Sequence, residues 1–167
     1  AVLAGTDVFA ALPTGGGKSL CYQLPSLVFE GITLVVSPLI SLMKDQVDAA
    51  RAKGLAADFL NSSQDEEEAR GVWRNLFGGR VKLLYVSPER LGTEEFRSAL
   101  GKIGVRFIAV DEAHCISEWG HEFRPDYRTL GTLRREFPGA VMAAFTATAT
   151  LEVQKDIIRR LKLKKPL

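Results

Sequence analysis

Leu12-Pro13-Thr14-Gly15-Gly16-Gly17-Lys18-Ser19 joins an apolar run, residues 7–12, to a segment of helical composition, residues 19–29. Three consecutive glycines let a backbone fold tightly and turn its N–H groups towards one point, and a helix N-terminus behind them adds positive potential. Strand, glycine turn and helix in that order are what a phosphate-binding loop requires. Thr14, Gly15, Gly16, Gly17, Lys18 and Ser19 are therefore the candidate ATP cradle, with Lys18 as a point charge for the β- and γ-phosphates and Ser19 as a magnesium ligand. The usual pattern has Gly six residues before the Lys, and here that position is Leu12. The bland alternative is a glycine-rich turn whose Lys and Ser are merely solvated.

Further apolar runs lie at residues 33–36, 81–86, 106–110 and 140–145, short and continuous rather than alternating. Strands covered on both faces have that pattern. Between them, residues 39–52, 65–77 and 150–161 have helical period and composition. The alternation predicts an α/β fold with a mostly parallel central sheet flanked by helices. One helix start is explicit: Ser63 is the expected N-cap with Glu66 three residues on, an acidic first turn follows, and Gly78-Gly79 closes the helix.

A chain of 167 residues, 46% hydrophobic and 25% charged, is the size of one globular domain with a real core. This composition does not suit a disordered segment, and no apolar run approaches a membrane span, so no membrane partner is expected. A net charge of +2 gives no support for a polyanion partner. The positive charge is also misplaced for one: it gathers in Lys155, Arg159, Arg160, Lys162, Lys164 and Lys165, whereas residues 111–128 carry more acids than arginines. Cys21 and Cys115 cannot build a disulfide framework and have no zinc-like spacing, which points to a reducing compartment and to packing roles. The start, Ala1-Val2-Leu3-Ala4-Gly5, has neither initiator Met nor secretory leader and reads as an excised piece.

A phosphate loop needs a second element that holds magnesium and positions water. The run 106–110 ends in Asp111-Glu112-Ala113-His114. Asp111 is thereby placed at a strand end near the metal, and Glu112 is the candidate base or water-orienting group. His114 is either a satisfied core histidine or, one residue past the acids, a sensor of the γ-phosphate.

These motifs occur in order with SPLISLMKDQ at 37–46, YVSPERL at 85–91 and TATA at 146–149. The set resembles the first RecA-like lobe of a superfamily 2 helicase, most closely one of the RecQ type. The stretch CISEWGHEFRPDYR at 115–128 is the most specific part, because it resembles the aromatic-rich loop of RecQ proteins. The resemblance implies a RecA-like P-loop NTPase lobe of an ATP-dependent 3'–5' DNA helicase. In this reading Lys18, Asp111, Glu112 and His114 are catalytic, ATP and Mg2+ are bound, and Ser19 and Asp111 hold the metal. It further implies that Pro38, Ser41, Lys44, Ser87 and Arg90 face DNA, and that Thr146 and Thr148 couple the nucleotide site to DNA movement.

The aromatic stretch can also be read from its residues. Trp119, His121, Phe123, Arg124, Tyr127 and Arg128 supply the rings and guanidinium planes on which unpaired bases stack. The alternative is that Trp119, Phe123 and Tyr127, spaced by four, form the buried stripe of a short helix, although Pro125 interrupts it. The expected partners are single-stranded DNA, duplex junctions and a second RecA-like lobe of the same parent chain. That lobe, an upstream adenine-recognition motif and accessory domains lie outside these residues in this reading, so the isolated piece is expected to be largely inactive. Expected localisation is cytoplasmic, at the nucleoid in a bacterium, or nuclear in a eukaryote. The rival readings are a DEAH-type RNA helicase lobe and a non-motor, nucleotide-dependent binding module.

Overall fold

The computed structural model describes residues 1–13, 15–120 and 122–167. Six strands, β1 (Val8–Ala11), β2 (Ile32–Val36), β3 (Ala57–Leu60), β4 (Leu83–Val86), β5 (Val105–Val110) and β6 (Val141–Thr146), form one sheet in the order β1-β6-β5-β2-β4-β3. Every pairing in it is parallel. The helices are α1 (Leu20–Val28), α2 (Ile40–Ala52), α3 (Glu66–Phe77), α4 (Glu94–Ile103), α5 (Leu133–Glu136) and α6 (Leu151–Leu161).

The continuous apolar runs are explained by burial on both sheet faces, and residues of β2, β4 and β6 are buried along their whole length. Alternate side chains serve two cores. Val35, Tyr85, Phe107 and Phe145 pack under Tyr22 of α1 and Met43 and Val47 of α2. Leu34, Leu84, Ile108 and Met142 pack on the other face with Leu76 of α3, Leu100 of α4 and Ile157 of α6. Parallel strands bring all their C-terminal ends to one edge, where ligands bind in open α/β sheets.

Three elements escaped the sequence reading, the single turn of α5 among them. Strand β3 is a four-residue edge strand carrying Asp58, whose carboxylate is held by Arg51 at 3.1 Å. Helix α4 contains Gly101 and is closed by Gly104, residues whose type punctuates a sequence as a loop does. The cap of α3 also needs correction. Asp65, not Ser63, is the N-cap: its side chain accepts from the Glu68 N–H at 2.8 Å, while Glu68 accepts from the Asp65 N–H at 3.1 Å. Ser63 is diverted because its hydroxyl and its N–H both donate to Asn61 Oδ1, at 2.7 and 2.9 Å. An Asx-type turn has consumed the residue that would otherwise cap.

A buried ion pair fastens β1 at the edge of the sheet. Asp7, 4% exposed, pairs with Arg134 and accepts from the backbone N–H groups of Met142 at 2.9 Å and Lys164 at 2.6 Å. Arg134 also donates to the Ala140 carbonyl at 3.0 Å. The strand that delivers the glycine loop is therefore tied to β6 and to the chain beyond α6.

Candidate nucleotide site and its surroundings

The glycine loop leaves the C-terminal end of β1 and is stapled at once to β6, because the Leu12 N–H donates to the Thr146 carbonyl at 2.9 Å. Gly15 and Gly17 have φ of +79° and +80°, a left-handed backbone that side chains resist. At Gly16 a Cβ would meet the Pro13 carbonyl oxygen at 2.8 Å. All three glycines are thus required by local geometry. Thr14 lies outside the described residues. Among the described residues none accepts a hydrogen bond from the N–H groups of Lys18 and Ser19, and the Ser19 hydroxyl does not cap α1. The donors of this turn remain available to an anion.

Across the sheet edge, Asp111 follows β5 and is 8% exposed, its N–H donating to the Val36 carbonyl at 2.8 Å. Burial, reinforced by the neighbouring Glu112, pushes its carboxyl above the ordinary range, and Lys18 only partly offsets this. Glu112 has φ 47° and ψ 44°, the one positive-φ non-glycine among the described residues near the loop. This strained backbone turns the Glu112 carboxylate towards Lys18 Nζ at 3.7 Å on one side and His114 Nδ1 at 3.4 Å on the other.

His114 is 6% exposed and extends the chain of contacts. Its Nδ1 lies 2.9 Å from Thr146 Oγ1, and the Thr146 hydroxyl proton goes to the Thr148 carbonyl at 3.0 Å. Thr146 can then only accept from the ring, which assigns the donor role to Nδ1–H. The His114 Nε2 faces Glu122 at 3.2 Å. Lys18, Glu112, His114, Thr146 and Thr148 form one relay across the ends of β1, β5 and β6.

The relay opens on a cavity of about 420 Å³ lined by His114, Trp119, Gly120, Thr148, Ala149 and Val153. Trp119 is 68% exposed. The aromatic stretch behind it is braced from α6: Arg160 binds Asp156 at 2.9 Å and Glu118 at 3.5 Å. Glu118 in turn holds Arg128 at 2.8 Å, and the Arg128 guanidinium sits 5.2 Å from the centre of the half-buried Phe123 ring. Arg124 is exposed, and Pro125 opens a 3-10 helix, Pro125–Thr132. His121 lies outside the described residues.

Several expectations for this surface change. Tyr127 is fully buried and its hydroxyl donates to the Asp111 carbonyl at 3.0 Å, so its ring is a core residue that props the acid pair, not a stacking face. Here the buried-stripe alternative holds for one of the three aromatics. Ser87 is likewise fully buried, with its hydroxyl in no hydrogen bond among the described residues, and does not reach the surface. Arg90 uses Nε and Nη2 on the Asn61 carbonyl, at 3.3 and 3.2 Å. By contrast Ser41 and Lys44 are exposed on the first turns of α2 and Pro38 is half-buried beside them, with Lys44 paired to Asp48 at 2.8 Å. Glu122 and Glu118 were missed in the sequence, where nothing in their spacing marks them as partners of His114 and Arg128; Asp156 stands four residues before Arg160 on the helix expected at 150–161, a spacing at which ion pairs form and a signal that could have found it. Burial raises the Cys115 thiol to about 11, in keeping with a packing role.

A parallel α/β sheet with a glycine loop after an edge strand and two carboxylates after an inner one defines a RecA-like, P-loop type of nucleotide-binding lobe. The chain belongs to the DEAD/DEAH box helicase family, whose model matches residues 1–157. It is 56% identical over 164 residues to the ATP-dependent DNA helicase RecQ of Haemophilus influenzae, covering 98% of this chain and 26% of that protein. It is 46% identical over 174 residues to the ATP-dependent DNA helicase Q1 of Rattus norvegicus, covering 100% of this chain and 28% of that one. The chain therefore spans about a quarter of the length of the curated relatives it matches. In fold it is similar to Mycobacterium smegmatis helicase Lhr solved with ssDNA and AMP-PNP, with a TM-score of 0.70 and 22% identity over 95% of this chain and 23% of that one. No helix among the described residues is long and apolar enough to cross a membrane.

Proposed function

We propose that this chain is the ATP-binding motor lobe of a RecQ-type DNA helicase that moves 3'–5' on single-stranded DNA. It works in this reading with a second RecA-like lobe of the same parent chain, and adenine is recognised by residues upstream of Ala1. The observation that carries the proposal is the relay from Lys18 through Glu112, His114 and Thr146 to Thr148 beside the exposed Trp119. It supplies a route by which a change at the phosphate loop reaches a surface suited to unpaired bases.

The turn from Gly15 to Ser19 holds the triphosphate through backbone N–H groups, and Lys18 balances β- and γ-phosphate charge. The residues fit a divalent cation: Asp111 is a desolvated carboxylate beside a second one, and the Ser19 hydroxyl is free of capping duty. Ser19 and Asp111 would hold magnesium, which when bound neutralises phosphate charge. Glu112 orients the attacking water and accepts its proton as the new O–P bond forms and the β–γ bridge breaks. Lys18 and His114 keep the Glu112 carboxylate aimed. Trp119, Phe123, Arg124 and Arg128, with Pro38, Ser41 and Lys44 on α2, contribute the DNA-facing surface. Without its second lobe, which in this reading brings an arginine to the γ-phosphate, the chain alone binds nucleotide weakly and turns it over little.

The test is DNA-stimulated ATP turnover by the two-lobed parent carrying Lys18→Ala or Glu112→Gln. Both are expected to abolish stimulated hydrolysis, a loss of about 10² or more for the general base alone. Normal turnover in either variant removes the role assigned to that residue. Stimulation by RNA but not by single-stranded DNA would transfer the chain to the RNA-helicase reading.

A further inference from the structure

A nitrogen, a sulfur and a carboxylate oxygen meet at the start of the aromatic stretch, away from the glycine loop. His114, Cys115 and Glu122 each offer one ligand atom, and the three atoms lie within 4.8 Å of one another. Their spacing in the chain matches no zinc motif, so the fold has to gather them. The Cys115 N–H donates to the Glu112 carbonyl at 2.9 Å, within the 3-10 turn Ala113–Ile116. The Arg124 N–H donates to the Cys115 carbonyl at 2.9 Å, which folds the stretch back over its own start and carries Glu122 to His114.

The histidine is already arranged as a ligand. Its Nδ1–H faces Thr146 Oγ1 at 2.9 Å and the Glu112 carboxylate at 3.4 Å, so in the neutral ring the lone pair is on Nε2, which faces Glu122 Oε2 at 3.2 Å. Two acceptors at that distance need a positive charge between them. A zinc ion bonded to a ring nitrogen and a carboxylate oxygen at its usual lengths holds those atoms about 3.3 Å apart, so the gap is already the edge of a tetrahedron. The partners of Nδ1 are those a metal-binding histidine takes on its far side, where an acceptor fixes tautomer and orientation. A proton on Nε2 would also fill the gap, but it gives the Cys115 sulfur no part. A thiophilic cation uses all three atoms.

We propose that His114 Nε2, Cys115 Sγ and the Glu122 carboxylate form a zinc site whose fourth position is left to water. Mixed nitrogen, sulfur and oxygen donors suit Zn2+, whereas Mg2+ takes oxygen ligands alone. The cavity of about 420 Å³ that His114 lines gives the ion a path in, and the Glu122 side chain is 57% exposed. Without a metal Cys115 is a thiol, pushed up to about 11 by burial although Arg124 pulls the other way. Zinc must displace that proton, so binding releases it and tightens as pH rises. The bound ion ties the aromatic stretch to His114 and holds the two in one arrangement. The site stands apart from the nucleotide reading, since its ligands are not those of the phosphate loop.

Titration of the chain with Zn2+, and with Co2+ as a coloured probe, tests this near neutral pH with no nucleotide or DNA present. The expected result is one site per chain, a thiolate-to-cobalt charge-transfer absorption, and release of about one proton per metal. Cys115→Ser should remove that absorption. Glu122→Gln, at an exposed position that spares the core, should weaken zinc binding by about tenfold or more, the least that partners of a bound metal are worth. Cys21→Ser, which removes the exposed thiol on α1, should change neither. Absence of stoichiometric binding overturns the proposal. So does an absorption lost with Cys21→Ser and kept with Cys115→Ser, which would give the metal to the other thiol. A zinc affinity indifferent to Glu122→Gln overturns it as well, and this variant decides the matter even if Cys115→Ser fails to fold.

Discussion

Replacing Asp7 by Ala removes the acceptor that fastens β1 in place. Three bonds go with it: the ion pair to Arg134 and the two backbone donors, Met142 N–H at 2.9 Å and Lys164 N–H at 2.6 Å. The Arg134 side chain is only 10% exposed, and its remaining bond to the Ala140 carbonyl cannot neutralise its charge. Breaking a buried pair by removing one partner costs about 3–5 kcal/mol, and the orphaned Met142 N–H adds to it. A loss of about 4 kcal/mol corresponds to a fall in Tm of roughly 8–16 °C for a domain of this size. Thermal unfolding followed by circular dichroism reads this, and Asp7→Ala with Arg134→Met supplies the control. Removing both charges should recover much of the loss, because an apolar pair of similar bulk needs no partner. A single variant that costs less than about 1 kcal/mol would refute the reasoning, as would strictly additive effects of the two changes.

Asp111→Asn is expected to stabilise the isolated fold at neutral pH while removing a residue the proposed chemistry needs. Burial and Glu112 raise the folded carboxyl above its unfolded value, so this group favours folding at pH below the ordinary carboxylate range and loses that contribution as pH rises through the folded value. The Tm advantage of Asp111→Asn should therefore shrink as the pH is lowered towards 4, and an advantage that grows on acidification contradicts the assignment. Tyr127→Phe keeps the ring and deletes only the donor to the Asp111 carbonyl, for a cost of about 1–2 kcal/mol in denaturant unfolding. An unchanged midpoint would mean that this hydroxyl supports nothing.

The strands that build the site were legible because burial on both faces leaves uninterrupted apolar runs, and the glycine loop because its backbone demands glycine. Strand β3 was not, since an edge strand of four residues with a charged member lacks either signature. The same limit governs the site. Lys18, Asp111 and Glu112 lie at element ends whose positions follow from pattern, and the structure brings Lys18 and Glu112 together. Tyr127 misled because spacing and composition fit both a stacking ring and a core ring; its burial depends on the packing of its 3-10 helix against α5, α6 and the turn after Asp111. Glu122 lies eight positions from His114, a spacing that does not distinguish it from a solvated acid, whereas Asp156 holds Arg159 and Arg160 at three and four positions on α6, a spacing that a helix makes readable.

Glu112 has a left-handed backbone that Asn or Gly would adopt more comfortably, and neither of those brings a carboxylate. Stability-directed selection on this chain would thus drift at position 112 towards residues that silence it. A thermostabilised variant should have that codon held fixed before any library is made.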